Sequence, residues 1–347
     1  MSQLPKQPAE VSVPTSADVA RLAGVSRATV SYVLNNNATV RISEPTRRRV
    51  REAALQLGYV PHAAARSLRA GHSRMVLLPS GHIPAGPLHQ YFFEELQSGL
   101  RRLDYTVVQY GSVGLTADEA ATAWAELRPV AVVVPPGIAL TPHGTGILTR
   151  SGAKAVITLG PGPVAGAHGL VAGAHGLVMD QRQVGASAVE HLLARGRRHI
   201  GVVMPQEPGR APFSEPRLVG ARGVAEPAGA RVCPLPLRYE EESAHRLAAR
   251  WPELGLDAVF AYNDEYAMLL MRALQDAGVA VPADTAVIGA DDSLIGRLLR
   301  PRLSTVRMEL AMPQPLAETI DRMVQHPGGP PVHQDLLRTS AVHRESS

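Results

Sequence analysis

Apolar positions along this chain change their period near residue 74. Between residues 15 and 57 they recur three or four apart: Val19, Ala20 and Ala23, then Val30, Val33 and Leu34, then Val50, Ala54 and Leu57. That spacing predicts short amphipathic helices. Thr15, with Asp18 three residues on, is a capping-box start for a helix over about 17–23. Gly24-Val25 supplies a tight corner, glycine being free to adopt the left-handed conformation it needs. Ser26 caps a second helix, about Arg27 to Leu34, whose apolar side packs on the first. The pair reads as a helix-turn-helix, which offers the second helix's N-terminal side chains to a DNA major groove. An ordinary αα-corner is the alternative reading of the same pattern. Ser43-Glu44-Pro45-Thr46 starts a third helix, about Arg47 to Leu57, and Gly58 ends it.

Pro61 and Gly71 frame a further short, Ala-rich helix. It lacks a broad apolar face, and a helix so short is marginal in water unless ordered against a partner such as DNA. From Met75 onward, short continuous apolar runs alternate with helical stretches, the mark of α/β layers around a parallel sheet. Runs at 75–79, 106–110, 130–134, 155–159, 199–203, 257–262 and 286–290 read as buried strands. Helices are expected near 88–103, 117–127, 183–195, 243–250, 265–277 and 315–324, and a final strand over about 334–342.

Charge sharpens this division. Residues 1–74 carry 11 Lys/Arg against 4 Asp/Glu, a net of +7, while the remainder carries 24 against 27. A positive field confined to one end suits phosphate binding that weakens with salt. Cys233 is the single cysteine, which excludes an intramolecular disulfide and a thiolate-rich zinc site. No long apolar run or signal-peptide pattern stands out, so a cytoplasmic chain without a membrane partner is expected.

The motifs DVARLAGVSRATVSYVLN, LGYVPHAAARSL, AVFAYNDEYAM and VIGADDS occur in this order. On them the chain resembles the LacI/GalR (lactose-repressor) family of bacterial transcription regulators, from about Thr15 to the C-terminal HRESS. The resemblance implies an α/β fold: an all-α helix-turn-helix headpiece (15–60) after a tail (1–14), a hinge helix and linker (61–73), and a two-lobed periplasmic-binding-protein-like sensor domain (74–347) of parallel sheets flanked by helices. Crossings between lobes are expected near Gly196, Val306 and Val332, giving lobe 1 as 74–196 with 307–331 and lobe 2 as 197–306 with 332–347.

The resemblance further implies a homodimeric repressor on a pseudo-palindromic operator, controlled by a small effector. Arg27, Ala28 and Tyr32 are placed toward base edges; Arg27 can pair with guanine or hold a phosphate. Ser26 and Thr29 are assigned to phosphate. Thr15, Arg66 and Leu68 complete the DNA set, with Leu68 as a minor-groove wedge. Asp180, Arg217, Asn263 and Asp291 fall at strand or loop ends, where cleft ligands bind in open parallel sheets. Their acceptors and forked donor suit a sugar or sugar derivative, and Tyr239 lies near a position that often stacks. Asp264 and Asp292 are read as helix caps.

Three features depart from the family. Ala290 stands where an aromatic is usual, aromatics are only 4% of the chain, and the Gly/Pro-rich segment 205–230 leaves its helix, near 218–224, weak. Two other functions compete. Gly160-Pro-Gly-Pro-Val-Ala165 fits the fingerprint of an NAD-dependent dehydrogenase, but it must open a helix and instead runs into a duplicated GAHGLV too rich in glycine for one. That duplication, with His168 and His175, reads as an exposed loop insertion rather than a metal site. A solute-binding protein of transport shares the sensor fold but is exported and has no basic headpiece. No cofactor, metal or enzymatic activity is expected.

Overall fold

The computed structural model describes residues 13–34, 40–60, 73–80, 87–112, 114–136, 138, 140–160, 174–310, 316–328 and 333–347. The chain divides into two compact units, Met1–Ser73 and Arg74–Ser347. The expected hinge helix, with Arg66 and Leu68, lies outside the described residues, as do residues 1–12 of the tail and the first GAHGLV copy.

In the first unit α1 (Ser16–Ala23), α2 (Arg27–Leu34) and α3 (Glu44–Gln56) enclose one small core. Val19, Ala20, Ala23, Val30, Val33, Val50, Ala53 and Ala54 fill it, with Val25, Leu34, Leu57 and Tyr59 packed around them. The helical ends are fixed locally. The Thr15 amide and hydroxyl both donate to the Asp18 carboxylate, at 2.9 and 2.6 Å, and Gly24 turns the corner at φ +65°. The Ser26 hydroxyl then accepts from the Thr29 amide at 3.1 Å, opening α2.

The second unit holds two six-stranded sheets. The first contains β1 (Met75–Ser80), β2 (Thr106–Gly111), β3 (Ala131–Val134), β4 (Ala155–Gly160), β5 (His175–Val178) and β11 (His333–Asp335), in the order β11-β5-β4-β3-β1-β2, all parallel. The second contains β6 (His199–Pro205), β7 (Arg231–Leu237), β8 (Ala258–Phe260), β9 (Ala286–Ala290), β10 (Ser304–Leu310) and β12 (Leu337–Val342), in the order β12-β10-β9-β8-β6-β7. Only β12 runs antiparallel. Alternate residues of each strand face opposite helical layers, as the two-residue period requires. In β9, Ala286, Ile288 and Ala290 join one core and Val287 the other.

The first sheet is sandwiched by α4 (Pro87–Arg102) and α13 (Leu316–Gln325) on one face, and by α5 (Ala117–Glu126) and α6 (Pro142–Arg150) on the other. Against the second pack α7 (Arg182–Ala194) and α8 (Ala211–Ala225) on one side. The other side carries α9 (Glu241–Ala249), α10 (Trp251–Leu254) and α11 (Asp264–Asp276), and α12 (Leu294–Leu298) follows β9.

The crossings differ from those expected. Val184, Ala188, Val189 and Leu192 of α7 are buried in the second sheet's core. The chain therefore leaves the first sheet between Val178 and Arg182, a helix earlier than Gly196. Val306 is buried inside the second sheet, and α13 belongs to the first, so the return falls between Leu310 and Leu316. The expected final strand is two strands. β11 pairs with β5 and β12 with β10, so the last crossing is at buried Leu336 rather than near Val332.

Two further expectations change. The second copy of the repeat is not loop: His175–Val178 forms β5. The weak helix of residues 218–224 is a 15-residue helix, Ala211–Ala225, despite an internal Pro216. Proline costs a helix one hydrogen bond, but here tertiary packing outweighs it. A Cβ on Gly185 would stand 1.8 Å from the Arg217 carbonyl, and one on Gly220 would stand 1.9 Å from that of Arg182. Backbone lies on backbone where α7 meets α8.

Candidate nucleic-acid interface and effector site

Arg27, Ala28 and Tyr32 are all exposed on one side of α2, while Val30 and Val33 on its other side are buried. The helix is anchored through its apolar stripe and leaves its N-terminal turn free. Thr15 and Ser26 are also exposed, and Thr29 is half-buried with its hydroxyl 2.9 Å from that of Ser26. A helix N-terminus carrying hydroxyls and an arginine is suited to phosphate and to acceptors on base edges.

The second group of residues gathers where the second sheet's strand order reverses, between β6 and β8, beyond their carboxyl ends. This is where open α/β sheets bind ligands. Arg217, 5% exposed, is the centre. Its Nε and Nη2 both donate to Gln181 Oε1, at 3.0 and 2.8 Å, and its Nη1 donates to the Tyr262 carbonyl. The guanidinium also lies 4.7 Å over the Tyr262 ring. Asn263, after β8, caps α11 by accepting from the Tyr266 amide at 3.0 Å.

Asp291 follows β9 with φ 103°, a conformation L residues rarely adopt and one that concentrates at ligand sites. Its amide donates to the Val306 carbonyl at 3.0 Å, which holds the strained backbone in place. Burial pushes its carboxyl up to about 7. The Asp264 and Glu265 carboxylates add to that rise, while Arg217 and a hydrogen bond from Asn263 oppose it. Arg217, Asn263 and Asp291 are thus one electrostatically coupled set.

The other two expected residues sit at its margins. Asp180, buried, is held by Arg182, whose Nη2 donates at 2.6 Å. Tyr239 is exposed and meets the Tyr266 ring at 5.1 Å. Asp264 and Asp292 are structural, but not as caps of their own helices. Asp264 accepts from the Thr305 hydroxyl at 2.6 Å and from the Ser293 amide at 2.7 Å. Asp292 takes ion pairs from Arg344, Arg307 and Arg297. Against the burial that pushes it up, the Arg344 and Arg307 bonds hold the Asp292 carboxyl below its usual range.

Several participants were not anticipated. Gln181 meets Arg217 beside the contact of α7 with α8 at Gly185 and Gly220. Glu207 accepts from the Tyr239 amide at 2.6 Å and from the Tyr266 hydroxyl, tying the loops after β6 and β7 to α11. Arg210 lies 5.7 Å over the Tyr262 ring, on whose face Arg217 also sits. The strand-end position of Tyr262, one residue before Asn263, was the available signal. Of the dehydrogenase fingerprint only Gly160, the end of β4, is described. An open depression of about 550 Å³ on α4, lined by Glu94, Gln97, Ser98, Arg101 and Arg102, shares no residue with this set.

Residues 15–62 match the family model for bacterial regulatory proteins, lacI family, and residues 189–347 match that for a periplasmic binding protein-like domain. The chain is 32% identical over 306 residues to the HTH-type transcriptional regulator GalS of Salmonella typhimurium, covering 86% of each. This chain belongs to the LacI family. It is equally 32% identical over 304 residues to the HTH-type transcriptional regulator GntR of Pseudomonas aeruginosa, covering 85% of this chain and 84% of that one. Among solved structures, the fold of this LacI-family chain is similar to that of the lac repressor dimer bound to operator and the anti-inducer ONPF. The TM-score is 0.76 at 22% identity, over 96% of this chain and 98% of that one. It is also similar to the transcriptional regulator CelR–cellobiose complex, with TM-score 0.61 at 24% identity over 96% and 100%. The LacI-family chain is a DNA-binding transcriptional regulator, and these relatives are regulators rather than enzymes. No helix among its described residues is long and apolar enough to cross a membrane.

Proposed function

We propose that this regulator is a homodimeric repressor whose grip on a pseudo-palindromic operator is set by a sugar-like effector held at Arg217, Asn263 and Asp291. The observation that carries the reading is the convergence of that donor–acceptor set at the strand-order reversal of one lobe, in a chain that also presents Arg27, Ala28 and Tyr32 on an anchored helix. Carboxylate, carboxamide and guanidinium together complement vicinal hydroxyls, which both donate and accept. Tyr239 offers the one exposed ring face of the group to a sugar's C–H surface. The CelR complex with cellobiose supports the ligand class, and the operator-bound lac repressor dimer supports the assembly.

On DNA, Arg27 and Tyr32 read base edges, Thr15, Ser26 and Thr29 set register on phosphates, and Arg66 and Leu68 act in the minor groove. Effector control is a population shift between lobe arrangements, and only a ligand that prefers one of them moves the equilibrium. The decisive experiment selects bound duplexes from a genomic fragment pool and titrates the winners with Arg27→Ala and Tyr32→Ala. Both variants lose sequence preference while keeping salt-sensitive nonspecific binding. Equal preference for random competitor by the wild-type protein sinks the reading.

A further inference from the structure

The Arg217 guanidinium has two bidentate edges: the end, where Nη1 donates to the Tyr262 carbonyl and Nη2 meets Met308 Sδ at 3.9 Å, and the side, formed by Nε–H and Nη2–H. In this structure both side donors converge on Gln181 Oε1, at 3.0 and 2.8 Å. Nη1 is committed to the Tyr262 carbonyl and the ring face to Tyr262. Gln181 is 3% exposed and Arg217 5%, so no incoming acceptor reaches the side edge while the carboxamide stays. Gln181 also lies in the segment by which the chain leaves the first sheet for the second, between β5 and α7.

That segment is laced to a second crossing. Asp335, the last residue of β11, accepts from the Asp180 amide at 3.4 Å, from the Gln183 carboxamide and from the Leu337 amide at 3.0 Å. Its carboxylate therefore touches the chain before Gln181, the chain after it and the start of β12. Gln181 thus sits in a backbone segment tied through Asp335 to both crossings. The glycine contact of α7 with α8 leaves no slack: the Arg217 carbonyl lies where a Cβ of Gly185 would be.

We propose that Gln181 is a built-in occupant of the Arg217 fork. Resting on the effector reading above, its displacement by effector oxygens is what loosens the crossings tied through Asp335. Gln181 is then a specificity-determining residue: an effector must offer Arg217 a better acceptor than a neutral carboxamide.

Labelling full-length protein with phenylglyoxal, an arginine-selective dicarbonyl, and mapping peptides tests the occupancy without any effector. Gln181→Ala vacates the side edge and speeds modification of Arg217 at least tenfold. Gln181→Glu places a carboxylate against the guanidinium, a stronger partner, and slows it below wild type. A merely structural Gln181 predicts that both variants loosen the site and change the rate in the same direction; that result, or no change in either, overturns the proposal. Calorimetry with D-ribose, D-xylulose and cellobiose then tests displacement. For a sugar that binds, Gln181→Ala tightens the affinity several-fold and Gln181→Glu weakens it. Affinity that Asp291→Ala abolishes but neither Gln181 variant alters refutes displacement. Binding by none of the three sugars, or affinity indifferent to Asp291→Ala, counts against the effector reading alone, and the labelling order still decides the role of Gln181.

Discussion

At the scale of single residues, Asp291 is the most consequential group. Its carboxyl is raised to about 7 from a reference of 3.8, so the folded protein holds a proton that the unfolded chain releases at lower pH. Folding is favoured below that window, and stability falls as pH rises from about 4 through 7. Asp291→Asn removes this fall. Chemical denaturation between pH 5 and 8 should show the variant gaining on the wild type by on the order of 1–3 kcal/mol at the alkaline end. A parallel pair of curves refutes the assignment. Asn263 and Asp291 were legible as candidates because each follows a strand with a side chain fit for hydroxyls, whereas Arg217, expected to open a helix, lies inside Ala211–Ala225. Gln181 and Glu207 were not legible, since nothing local distinguishes a glutamine or a glutamate whose partner lies 36 or 59 positions away.

At the scale of elements, the sequence was most readable where local chemistry and tertiary packing agree. The three headpiece helices carry their caps, corner and apolar stripe within a few residues, and the structure follows them closely. Ser26→Ala, which removes the bond to the Thr29 amide, should cost about 1 kcal/mol, seen as a lowered melting temperature of the isolated helical signal with operator preference retained. Reading failed where packing overrides local preference. The helix Ala211–Ala225 survives Pro216 because α7 covers it, and β7 was missed because Pro234 and Pro236 argue against a strand interior. Both prolines sit harmlessly on an edge strand. Gly185→Ala tests the helix contact. A methyl 1.8 Å from a carbonyl oxygen must push α8 away, costing about 3 kcal/mol or more and raising the phenylglyoxal reactivity of Arg217; retention of both stability and protection would be inconsistent with the contact described.

At the scale of the whole molecule, the composition already separated a basic first unit from the rest, and the repeating strand–helix alternation foretold the parallel sheets. The crossings were harder to place, because a helix such as α7 carries an apolar face that fits either sheet until both exist. The C-terminal residues illustrate the same point. The Ser346 amide donates to the Arg302 carbonyl at 3.0 Å, its carbonyl accepts from the Val287 amide at 2.7 Å, and the Ser347 hydroxyl lies 2.7 Å from His191 Nε2. Burial, together with Arg195 and His343, pulls the His191 imidazole down to about 4. A depressed imidazole stabilises the fold above its unfolded value near 6.5 and loses that stabilisation as pH falls toward 4. His191→Gln should therefore flatten the acid limb of the stability profile, opposite in sign to Asp291→Asn, and an unchanged limb rules out this origin. DNA binding, in contrast, should fall steeply and linearly with the logarithm of salt concentration, checked by fluorescence anisotropy. A slope near zero contradicts the electropositive first unit as the gripping end.

The two prolines of β7 have one more effect. Among the described residues β7 forms the rim of the second sheet, with β6 its one neighbour there. Pro234 and Pro236 are both exposed while Leu235 and Leu237 are buried, so the outward rim offers carbonyls but lacks two of the amides that an arriving strand would seek. Sheets with open rims invite further chains to zip onto them, and proline at the border is one way natural proteins forbid it. This rim is sealed against such growth, so crowding at high concentration should not draw these molecules into fibrils from that side.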